Sequence, residues 1–196
     1  LVQKSCIVFI MEIAKKIEVN KIAKIVLIAI LGSALLTISA KVKIPFYPVP
    51  MTMQTFIVIF LGITLGPKIG LLTVSLYLFE GIFGLPVFAN TPEKGIGLIY
   101  FTGTTMGYLI GFLVTVYLAG SFKYDKGIIN TFLKLIFSVS FIYFLGMIWL
   151  GTLIGWDKPI FKLGAQPFLL AELFKILLLL FLTPTLLRAK KFIKIT

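Results

Sequence analysis

The chain has no histidine, one cysteine and only seven acidic residues among 196. Without His there is no Ser-His or Cys-His nucleophile, and no His-ligated metal or haem. Cys6 alone forms neither an internal disulfide nor a Cys-rich metal site. No G-x-x-x-x-G-K-[ST] occurs, so the chain is not itself a P-loop ATPase. Charged residues make up 13%, about half the ~25% of a soluble domain. Apolar residues take their place: 59% of the chain is hydrophobic and 14% aromatic, with a mean hydropathy of +1.09. That composition leaves too little polar surface to cover a water-soluble globule, and it points to an integral membrane protein.

A membrane span needs ~20 mostly apolar residues. The first such run is Ile22–Ala40. From Ile44 to Pro92 only Lys68 and Glu80 are charged, and Gly66-Pro67-Lys68 divides the run. The spacing predicts helices near Met51–Leu65 and Ile69–Phe83. The flanking stretches Ile44–Pro50 and Gly84–Phe88 are apolar but too rich in Pro and Gly for regular helix. Such backbone is tolerated at membrane depth only where it is buried in protein or lines a cavity. Further spans are expected at Gly95–Phe122, Leu135–Ile154 and Gly164–Leu187. The expected fold is all-α: one membrane domain of six helices over 22–187, an N-terminal segment 1–21 lying loose or on the surface, and a basic tail 188–196. Residue 1 is Leu, and Met11 offers an alternative start.

Six spans put both termini on one side. That side collects thirteen cations, among them Lys15, Lys16, Lys68, Lys123, Arg188 and Lys190; the other has Lys41, Lys43, Lys94, Lys158 and Lys162. The positive-inside rule makes the terminal side cytoplasmic. The net charge of +12 is then an orientation and lipid-attraction signal, not a nucleic-acid footprint.

Polar residues inside the spans carry the functional signal. Glu172 and Lys175 are three apart in the last span, on one helix face. Each charge costs ~2.5–3.5 kcal/mol at the bilayer centre, so the pair faces protein or a wet cavity. Read as a ligand site, Lys175 meets an anionic or polar substrate group, and Glu172 orients it or accepts substrate N–H bonds; read structurally, the pair fixes helix packing. Glu80 has no partner charge at helical spacing and reads as an interfacial residue. Asn90 precedes Thr91-Pro92, as a turn Asn does, though its amide also suits a substrate amide or urea. Tyr47, Phe46, Gln54 and Phe88 are candidate pocket-lining residues, though aromatics near span ends also form interface belts. Gly103, Gly107 and Gly111 form two G-x-x-x-G steps, a helix-packing signal, and Ala29-x-x-x-Ser33 with Gly32 is a second small-residue face that packs internally or docks a partner.

Three stretches resemble the BioY family, the biotin-specific substrate-binding (S) components of energy-coupling factor (ECF) transporters. Ile44-Pro45-Phe46-Tyr47-Pro48-Val49-Pro50-Met51-Thr52-Met53-Gln54-Thr55, with Leu65-Gly66-Pro67, is similar to the family's proline-rich loop, V-P-V-T-L-Q-T and L-G-P. Tyr77-Leu78 through Gly84-Leu85-Pro86-Val87-Phe88, with Gly107-Tyr108-Leu109-Ile110-Gly111-Phe112, resembles Y-L…G-L-P-V-F and G-Y-L-x-G-F. Pro167 through Glu172 and Lys175 looks like P…D-x-x-K, with Glu replacing the usual Asp. The resemblance covers about residues 22–187. It implies biotin captured from outside and delivered through an ATP-driven complex of a transmembrane subunit and two ATP-binding cassette ATPases. It implies Lys175, Glu172 and Asn90 as biotin contacts and Ala29, Gly32 and Ser33 as the partner-docking face. No cofactor or metal is implied. The alternatives are an S component for another vitamin, a structural membrane protein, and a membrane-embedded lipid-acting enzyme. The enzyme reading has only Glu80 and Glu172 to work with, on different spans.

Overall fold

The computed structural model describes residues 2–44, 47–93, 95–124 and 127–193. Helices dominate: α1 (Val2–Lys41), α2 (Gln54–Ile82), the short α3 (Leu98–Phe101), α4 (Met106–Ser121), α5 (Ile128–Ile154), the short α6 (Ile160–Gly164), and α7 (Leu169–Ile193), which a 3-10 turn over Gln166–Phe168 introduces. Between α1 and α2 two short strands, β1 (Lys43–Ile44) and β2 (Met51–Thr52), pair antiparallel with Lys43 opposite Thr52. This ribbon satisfies backbone that the prolines keep out of helix.

The expected break at Gly66 is present. Gly66 has φ 78° and ψ 175° inside α2, a conformation open to Gly. The result is a hairpin. A straight helix would hold Gln54 and Tyr77 roughly 35 Å apart, yet Gln54 Nε2 donates to the Tyr77 hydroxyl at 2.7 Å. The two arms of α2 therefore run antiparallel.

Among the described residues, four helical stretches are long and apolar enough to cross a membrane: Asn20–Lys41, Gln54–Ile82, Ile128–Ile154 and Ile160–Lys191; Met106–Ser121 is a shorter apolar helix. Three boundaries depart from the sequence expectation. The run Gly95–Phe122 is split: α3 ends at Phe101 and α4 begins at Met106. Side chains support the gap, since Trp149 Nε1 donates to the Gly103 carbonyl and the Thr104 hydroxyl donates to the Pro48 carbonyl. The last helix starts at Leu169, not Gly164, behind the turn at Pro167. Helix α1 runs without a break through residue 21.

The arms of α2 pack against α1, α4 and α7, and α4 packs against α5. Leu36, Val58, Ile63, Val74, Val116 and Leu179 are fully buried at the centre. Gly111 allows the α4–α5 contact: a Cβ there would lie 2.6 Å from Ile142 Cα, and one at Gly107 would lie 2.5 Å from the Leu145 carbonyl oxygen. The G-x-x-x-G signal is thus a backbone-to-backbone contact with α5, while Gly103 lies before the helix.

Candidate ligand-binding site

Helix α7 places Glu172 and Lys175 one turn apart, only 3% and 9% exposed. Lys175 Nζ donates to the Thr52 carbonyl at 2.7 Å and to the Thr55 hydroxyl at 2.9 Å, and lies 3.3 Å from Glu172 Oε2. The same carboxylate oxygen accepts from the hydroxyls of Thr55 and Tyr143, each at 2.9 Å. The pair therefore ties α7 to β2, α2 and α5. Glu172 Oε1 is buried with no hydrogen-bond partner among the described residues. Removal of either member of a buried, hydrogen-bonded pair of this kind leaves its partner uncompensated.

A cavity of about 60 Å³ adjoins the amine. Val49, Pro50, Met51 and Thr52 form one side of it, on and before β2. The rings of Tyr100, Tyr108, Phe112, Tyr143 and Phe168 form the apolar walls, and Gln54, Thr55 and Lys175 supply polar groups. Apolar walls with a few convergent polar groups are the usual make-up of a small-molecule site. Two of the wall tyrosines spend their hydroxyls on backbone. Tyr108 donates to the Gly164 carbonyl and Tyr100 to the Ala89 carbonyl, both at 2.8 Å. Among the described residues no three His, Cys, Asp or Glu cluster as a metal site.

The expected site residues divide. Lys175 and Gln54 line the cavity. Gln54 is buried, bonded to Tyr77 and within 3.1 Å of the Thr52 hydroxyl. Glu172 sits behind the lining: it holds Lys175, Thr55 and Tyr143, and its own face turns to a groove between α5 and α7. Phe88 is buried under the wall, stacked 4.7 Å from Tyr100 and edge-on to Tyr77, while its neighbour Ala89 reaches the cavity. Asn90 takes a positive φ of 59° and accepts a hydrogen bond from Lys43, away from the cavity lining. Tyr47 is 85% exposed and lies apart from the site. Phe46 lies outside the described residues.

The small-residue face of α1 points inward. Ala29 and Ser33 are buried, and a Cβ on Gly32 would meet Thr73 Cγ2 at 2.5 Å. In this chain the three residues are packing partners of α2. Glu80, expected at an interface, accepts a hydrogen bond from the Ser33 hydroxyl and so joins α1 to α2.

Sequence reasoning missed Thr55, Tyr143, Tyr100, Tyr108 and Phe168. Thr52 and Thr55 carried a signal, two hydroxyls one turn apart entering a helix. Tyr143 carried none, for its partner lies 29 residues away.

Crossing helices, a buried ion pair and a half-open, mostly apolar cavity define a multi-pass membrane protein with the make-up of a small-molecule site. The chain belongs to the BioY family, whose model matches residues 11–192. It is 35% identical over 153 residues to a probable biotin transporter BioY of Pyrococcus horikoshii, covering 78% of this chain and 90% of the relative. It is 34% identical over 145 residues to a biotin transporter BioY of Thermotoga maritima, covering 74% and 84%. The fold is similar, with a TM-score of 0.71 and 26% identity, to a crystal structure of the S-component for biotin from an ECF-type ABC transporter, covering 85% of this chain and 92% of that one. These relatives are transport proteins, not enzymes.

Proposed function

We propose that this chain captures biotin at the membrane and delivers it through an ECF-type complex of a transmembrane subunit and two ATP-binding cassette ATPases. Lys175 carries the reading. Its amine is buried beside the cavity and fixed by a carbonyl, a hydroxyl and a carboxylate. A guest oxygen meets this amine by taking over the donor now shared with Glu172 Oε2, the longest of the three contacts at 3.3 Å. Lys175, Thr55, Gln54 and Tyr143 are the contacts in this reading, and Glu172 acts through Lys175, Thr55 and Tyr143. Family membership and the names of the relatives support biotin as the guest. The lack of a P-loop in this sequence agrees with ATP hydrolysis by partner subunits. The arms of α2 count as two crossings, making six, with both termini cytoplasmic. A partner subunit would meet the outward stripe Ile22, Val26 and Ile30 of α1, not the buried face at Ala29, Gly32 and Ser33.

Calorimetry on the detergent-purified chain tests the proposal. Biotin is expected to bind tightly, and Lys175→Ala to weaken binding about 100-fold, the loss of a charge-assisted hydrogen bond in a dry site. Folded protein that gives no heat with biotin overturns the reading. Displacement of labelled biotin by another vitamin at lower concentration transfers the site to that ligand.

A further inference from the structure

A second cavity, about 410 Å³ in volume, opens between the β1–β2 ribbon and α7. Its walls are bulky and apolar: Val42, Ile44 and Met53 on one side, Phe174 and Leu178 on the other. Ile44 is 60% and Phe174 65% exposed, so the groove opens outward. Lys43 also lines it. That amine bonds the neutral Asn90 side chain, and among the described residues no carboxylate lies within ion-pair distance of it. A cation with no carboxylate partner among the described residues, beside an open apolar trough at the end of a crossing helix, has the complementarity of an anionic amphiphile.

We propose that this groove is a binding site for an anionic phospholipid. One acyl chain lies along Ile44, Phe174 and Leu178, and the phosphate accepts from the Lys43 ammonium. A zwitterionic headgroup would bring a second cation to Lys43; a soluble phosphate would leave the apolar walls uncovered. Met51, Thr52 and Lys175 line both this groove and the central cavity. The lipid thus braces the outer side of the wall whose inner side faces the ligand.

The test is native mass spectrometry of the full chain released from nanodiscs of equal phosphatidylglycerol and phosphatidylcholine. Wild type is expected to retain phosphatidylglycerol roughly fivefold over phosphatidylcholine, the preference one lysine near a charged surface confers. Lys43→Gln is expected to abolish that preference. Leu178→Trp, which fills the trough, is expected to reduce retention of both lipids. Lys43 and Leu178 are at the surface, so circular dichroism is expected to match wild type. Equal retention of the two lipids by wild type, an unchanged preference in Lys43→Gln, or displacement of the lipid by millimolar glycerol 3-phosphate overturns the proposal. None of these readouts involves biotin, so their failure leaves the transport reading standing.

Discussion

At the scale of single residues, the site turns on one oxygen. Glu172 Oε2 takes the bonds from Thr55 and Tyr143 and faces Lys175. The carboxylate therefore positions three groups that line the cavity. Glu172→Gln keeps its shape and removes its charge, leaving Lys175 an unpaired buried cation. The expected cost is about 3 kcal/mol, read as a lower thermal midpoint in detergent together with weaker biotin binding. An unchanged midpoint would show that the pair contributes no net stability. Tyr143→Phe removes one hydroxyl bond and keeps the ring; the expected loss is about 1 kcal/mol, with ligand affinity reduced less than in Lys175→Ala. The pair itself was legible in the sequence, because two opposite charges one turn apart in an apolar span stand out. Thr55 and Tyr143 were not, because ordinary polar residues become conspicuous only when a distant carboxylate arrives beside them.

At the scale of elements, the segment Val87–Thr91 is held from three directions. Tyr77 on α2 donates to the Val87 carbonyl, and Tyr100 on α3 to the Ala89 carbonyl. Lys41, at the end of α1, donates to the Phe88 carbonyl at 2.9 Å and to the Thr91 hydroxyl at 3.1 Å. Since Ala89 lines the cavity and no residue of α1 does, α1 supports the cavity wall without touching the void. Lys41→Met is expected to raise amide exchange across residues 87–91 and to speed biotin dissociation several-fold, with a stability loss of about 1 kcal/mol. Lys41→Arg should restore both, because it returns a cationic donor. Exchange in Lys41→Met equal to wild type would assign the segment's order to the two tyrosines alone. The helix breaks show the same division of legibility. Gly66 was readable from Gly-Pro-Lys, whereas the break before Met106 was not, since bonds from Trp149 and Thr104 hold it open.

At the scale of the whole molecule, topology is the open test. Fusing a cytoplasm-active reporter to each terminus is expected to give signal at both ends, and a periplasm-active reporter to give none. Signal from opposite sides would mean an odd number of crossings, with one arm of α2 or the short α4 failing to cross. Hydropathy and breaker residues determined the class, the helical content and most element positions, because insertion into hydrocarbon depends on composition over ~20 residues whatever the neighbours. Only the tertiary structure decided which face of each helix looks inward. It turned Ala29, Gly32 and Ser33 onto α2 and left Tyr47 outside. It set Glu172 behind the cavity wall and brought Tyr108, Tyr143 and Phe168 around one void. In a chain whose lipid-facing and core-facing residues are equally apolar, hydrophobic pattern carries little rotational information, and close packing of backbones and side chains settles the rest.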